Sequence, residues 1–106
     1  MNEHNRLQNE AKLERRRNAM AYLDSLNITT PIALGSGPEL IQMIKEGGHG
    51  YLAAHHAVSS FVRTPDYLRS IIEQNARHDL CGKACSPVSQ EHKDLALITL
   101  RRMAGE

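Results

Sequence analysis

Two cysteines and six histidines are the side chains of this sequence most able to hold a metal or carry a nucleophile. Cys81 and Cys85 stand four positions apart, with His78 and His92 nearby in sequence. Zinc sites usually pair their ligands more tightly, as Cys-x2-Cys with a matching second pair. That second pair is missing, so no metal and no other cofactor is expected. Nucleophilic catalysis would need a motif such as G-x-S-x-G, which does not occur. The run Gly47-Gly48-His49-Gly50 follows a helical stretch instead of a strand, so it reads as a turn and not as a phosphate loop. No catalytic residues are assigned, and the chain is read as something other than an enzyme.

Anion chemistry has better candidates. Thr64-Pro65 is a helix start, with threonine as N-cap and proline at the first helical position. Amides at such a start lack intrahelical partners and, with the helix dipole, suit a phosphate or ribose hydroxyls. Arg63 precedes the cap and could add a bidentate phosphate contact. Asp66 opposes this, since it already places a negative charge in the first turn. From these residues alone a plain helix cap is the commoner outcome. Tyr67 could give its hydroxyl to a sugar or phosphate, or stack on a base; a half-buried core position is the alternative. Arg77 could reach phosphate, or stand solvated at the surface. Adjacent His55 and His56 diverge by about 100° on a helix, so one is expected at the surface and the other partly buried. Arg15-Arg16-Arg17 could neutralise phosphates without reading sequence, or be paired off by Glu10 and Glu14 within helical reach.

The elements that must position these groups follow from apolar spacing. Residues 1–26 read as one helix whose apolar positions are Leu7, Leu13, Met20, Leu23 and Leu26. Its first half is nearly all polar and is expected to project, while Ala19 to Leu26 docks and Asn27 ends the helix. Residues 1–17 are accordingly assigned to a basic extension and 18–106 to the domain proper. Ile28-Thr29-Thr30-Pro31 favours extended backbone, and Ile32-Ala33-Leu34 forms a short apolar element. Pro38 opens a second helix over 39–46, with Leu40, Ile41 and Ile44 inward. A third helix covers 52–61, with Leu52, Val58 and Phe61 inward. The helix after Thr64 packs through Tyr67, Leu68, Ile71 and Ile72. Residues 75–85 form a hairpin turning near Gly82. Ser89 caps a last helix from which Val88, Leu95, Ile98 and Leu100 reach the core. The fold class is α-rich α+β: about five helices with a small β-hairpin in a single domain.

Thirteen Lys and Arg against twelve Asp and Glu leave a net charge of +1, so only a local basic face could attract a polyanion. With one Phe, three Tyr and no Trp, the core must be aliphatic. No apolar run approaches the roughly 20 residues of a membrane span, and the polar start does not resemble a signal peptide. A cytoplasmic monomer with reduced cysteines is expected, with no membrane partner.

Between Pro31 and Leu100 the order of these pieces resembles the ProQ/FinO family of bacterial RNA chaperones. The resemblance rests on Asp66-Tyr67-Leu68, Arg77-His78-Asp79-Leu80, Gly82, Ala84-Cys85, Val88 and Gln90-Glu91-His92. Upstream, Pro31-Ile32-Ala33-Leu34-Gly35 resembles the family's proline-led segment. The resemblance implies an RNA partner, with a structured hairpin held by its stem and single-stranded 3′ tail, in post-transcriptional regulation. It implies that Thr64, Pro65 and Tyr67 form a pocket for the RNA 3′ end and that Arg77 is the foremost contact. Arg63, His55, His56 and Arg15 to Arg17 would assist. The helix over 52–61 carries no Lys or Arg where family members carry several. This departure supports the alternative: a protein-interaction adaptor that kept the fold and lost most RNA affinity.

Overall fold

The structure is a computed structural model and describes residues 3–105. Five helices and one hairpin follow in order: α1 (Glu3–Ser25), α2 (Ser36–Ile44), α3 (Tyr51–Phe61), α4 (Pro65–Glu73), β1 (Ala76–His78), β2 (Ala84–Pro87) and α5 (Gln90–Met103). A wide π-type turn, Lys45–His49, joins α2 to α3. Among the described residues no helix is long and apolar enough to cross a membrane.

Two small cores hold the chain together. The first gathers Ala19 and Leu23 of α1, Ile32 of the segment before α2, Leu40 and Ile44 of α2, and Ala53, Ala54, Ala57 and Val58 of α3. Alanines on α3 let α1 approach closely, which is how a domain with so few aromatic rings still packs tightly. The second core joins Leu68 and Ile71 of α4 to Val88 and to Ala96 of α5. Tyr67 packs against both.

Several boundaries and faces differ from the sequence expectations. Helix α2 begins at Ser36, two residues before Pro38, after Gly35 in the left-handed region at φ 88°. Proline is tolerated there because first-turn amides have no helical acceptor to lose. Leu52 was expected inward and is 77% exposed. The buried seam of α3 runs through Ala53, Ala54, Ala57 and Val58; Leu52 falls on the opposite face with His55, His56 and Ser59. Leu95 and Ile98, also expected in the core, are 54% and 43% exposed, because α5 docks through Ala96 and Leu100 instead. From Glu3 to Asn18 every residue but half-buried Arg16 is exposed, and docking begins at Ala19.

The hairpin pairs Ala76 with Pro87 and His78 with Ala84. Arg77 alone therefore faces both Cys85 and Ser86, a β-bulge. Gly82 sits in the turn at φ 84°. Asp79 Oδ1 accepts from the amides of Cys81 and Lys83, both at 2.9 Å, and fixes that turn. One pairing was not anticipated. The Ile32 segment lies parallel to β1: the His78 amide donates to Pro31 O at 2.8 Å, and the Ala33 amide donates to His78 O at 2.9 Å.

Candidate nucleic-acid interface

A cleft of about 460 Å³ opens where α4 begins and α1 ends. Its polar lining is Asp24, Asn27, Thr29, Thr64, Asp66, Tyr67 and Ser70, with no lysine, arginine or histidine among them. Asn27, at φ 54°, takes the left-handed turn that ends α1 and puts the chain at the cleft wall. Thr64 caps α4 by accepting from the Tyr67 amide at 3.3 Å, and its own hydroxyl donates to Phe61 O at 2.8 Å. The Leu68 amide donates to Thr64 O, and Pro65 has no N–H. Of the amides expected to be free at this helix start, only that of Asp66 keeps no partner among the described residues. The cap itself consumes the others. The Asp66 carboxylate takes a bond of 2.9 Å from Arg69 on the next turn.

Tyr67 serves packing and cleft together. Its ring stacks obliquely on Phe61, centroids 5.2 Å apart, and its hydroxyl oxygen accepts from the Ile32 amide at 3.0 Å. Accepting that bond leaves the hydroxyl proton available to donate. Arg63, just before the cap, is exposed.

Arg77 was expected at the surface or on a phosphate, and it is 6% exposed. Its Nη1 donates to Ile32 O at 2.9 Å, and Nη2 lies 2.8 Å from His92 Nδ1. A guanidinium has only donors, so His92 Nδ1 must be the acceptor, and the imidazole proton sits on Nε2. Arg77 Nε is buried and has no partner among the described residues. A single side chain thus ties the Ile32 segment, β1 and the first turn of α5 into one unit. The bulge turns it inward. Its contact with His92 could not be read from two residues fifteen positions apart.

The remaining candidates lie along α1 and α3. His55 and His56 are both exposed, against the expectation that one would be partly buried. The α3 seam passes between other residues, so both histidines fall outside it. His56 lines a shallow groove with Arg16, Arg17, Met20 and Asp24, whereas His55 leans on the Tyr51 ring at 6.1 Å between centroids. The pairing of Arg15 to Arg17 with Glu10 and Glu14 does not form: among the described residues the ion pairs are Glu3–Arg6 and Asp66–Arg69. Sequence reading missed Asp24, Asn27 and Thr29 as cleft residues. Nothing at the end of a helix signals that a distant helix start will face it.

The sequence pattern of the ProQ/FINO family matches residues 29–106. No curated protein sequence matches the chain. Among solved structures, NMB1681 from Neisseria meningitidis MC58, described as a FinO-like RNA chaperone, superposes with a TM-score of 0.70. The two are 17% identical, and the alignment covers 96% of each chain, so the likeness is one of fold. With well over half its length matched by the family pattern, this chain belongs to the ProQ/FinO family of RNA chaperones.

Proposed function

We propose that the protein binds structured RNA by seating the free 3′ end of a hairpin's single-stranded tail in the cleft at the start of α4. The lining of that cleft carries the reading. The Tyr67 hydroxyl and the Asp66 amide can donate, the Asp24 and Asp66 carboxylates can accept, the second while bonded by Arg69, and among the described residues no Lys, Arg or His lines the cleft. A terminal ribose offers two adjacent hydroxyls that both donate and accept. Carboxylates take bonds from those hydroxyls and repel a terminal phosphate. Thr64 and Pro65 shape the helix start, and Arg63 beside it suits the phosphate that precedes the last sugar. Arg15, Arg16 and Arg17, with His56 and His55 on the neighbouring helix, take phosphates of the stem or of the strand that leaves it. Such contacts read A-form shape and the 2′-hydroxyl with little base specificity. Arg77 enters as a positioning residue: it holds Ile32, whose amide in turn holds Tyr67. Family membership and the RNA-chaperone description of the neisserial neighbour support the same reading. In this role the protein acts as a cytoplasmic monomer on small RNAs or messenger 3′ ends, in post-transcriptional regulation.

The test compares a terminator-like hairpin whose U-tail ends in a 3′-hydroxyl with the same hairpin ending in a 3′-phosphate. The blocked end should bind at least about tenfold more weakly, the cost of one unmet charged contact. Tyr67→Phe, checked for folding by circular dichroism, should narrow that gap. Equal affinity for both ends would sink the reading. The adaptor alternative draws on the exposed Leu95, Leu97 and Ile98 of α5; it predicts no hairpin affinity that responds to salt.

A further inference from the structure

We propose a second nucleic-acid subsite in the cleft between α1 and the first turn of α3, one that takes a nucleotide of single-stranded RNA by phosphate and base together. The inference rests on the RNA-binding reading above. The cleft holds about 450 Å³, enough for a nucleotide-sized ligand. Lys12, Arg15 and Arg16 form one wall, and His49, Tyr51 and Leu52 stand opposite. No carboxylate lines it. The three cations make no salt bridge among the described residues. Tyr51 is 56% exposed and Leu52 77%, while the α1–α3 contact is made by Ala53, Ala54 and Ala57. Packing therefore does not account for an aromatic and an aliphatic side chain at this position. The wall is itself fixed: the His49 ring lies 5.3 Å from that of Tyr22, and Gly47 leaves only 3.3 Å between a would-be Cβ and Tyr22. Cations on one side and an exposed ring on the other match the two halves of a nucleotide, and stacking tolerates any base. Cleft and 3′-end pocket lie about 12–18 Å apart along α1, judged from Asp24 to Lys12 and Arg16. One single strand can therefore engage both.

The probe is fluorescein-labelled hexauridylate ending in a 3′-phosphate, which the acid-lined pocket disfavours, titrated against the intact protein by anisotropy at low salt. Lys12→Gln with Arg15→Gln should weaken binding about tenfold and make the log–log salt slope shallower by about 1.4, since single strands lose roughly 0.7 per phosphate contact. Tyr51→Ala should weaken it at least about fivefold with the slope unchanged, as expected for a lost stack. Tyr51→Phe should bind like the parent. Parent-like binding by Tyr51→Ala would reduce the site to diffuse charge and overturn the proposal. So would no hexauridylate binding at all. Failure of the 3′-end reading would show separately, as equal affinity for hydroxyl and phosphate hairpins. Circular dichroism of each variant establishes that the domain remains folded.

Discussion

Arg77 and the Arg15–Arg17 run carry the same side chain into opposite circumstances. Arg77 is buried, with two nitrogens occupied by Ile32 O and His92 Nδ1. Removing it takes the donor from the buried Ile32 carbonyl and from half-buried His92. Arg15 and Arg17 are exposed, Arg16 is half-buried, and none of the three forms an ion pair among the described residues. Replacing them disturbs nothing in the core. Arginine type therefore says little about role here; what each guanidinium touches decides it. The first is an internal tie, and the others are charges left available to a partner.

The comparison breaks most visibly at Arg77. Arg77→Met should cost about 2–4 kcal/mol of stability, because hydrogen bonds to a charged group are lost and the buried Ile32 carbonyl and half-buried His92 Nδ1 lose their donor. Thermal unfolding should show a midpoint lower by roughly 10 °C or more for a domain of this size. A midpoint shift under about 2 °C would mean the buried network adds little, and would remove Arg77 as an internal tie.

Replacing Arg15, Arg16 and Arg17 together by Gln should do the reverse. Stability should stay within about 0.5 kcal/mol of the parent, as for surface changes generally. Hairpin affinity should fall about 10–30-fold at moderate salt, with a log–log slope shallower by about 2–3. An unchanged salt slope would remove α1 from the interface. The smallest effect belongs to Leu52→Ser. Its side chain is outside both cores, so the unfolding midpoint should barely move. A large drop there would show that Leu52 packs against something other than solvent.

Much of this was legible from local rules. Thr64-Pro65 and Ser89 mark helix starts because their side chains satisfy a first-turn amide within three residues, at 3.3 Å and 3.2 Å. Gly82 marks the hairpin turn because only a residue without Cβ takes φ 84° at no cost. The docking half of α1 was visible in the spacing of Ala19 and Leu23. These signals act over a few positions, and the chain carries them wherever it goes.

What tertiary structure alone decided lies in contacts between distant positions. The parallel pairing of Ile32 with β1, the bulge that turns Arg77 inward, and its bond to His92 depend on which segments meet. The same holds for the cleft, where Asp24 and Asn27 from the end of α1 face Thr64 and Tyr67. Apolar spacing also misplaced Leu52, Leu95 and Ile98. A helix buries the stripe its neighbours cover, and here the neighbours lie against alanines, which a search for large apolar side chains passes over.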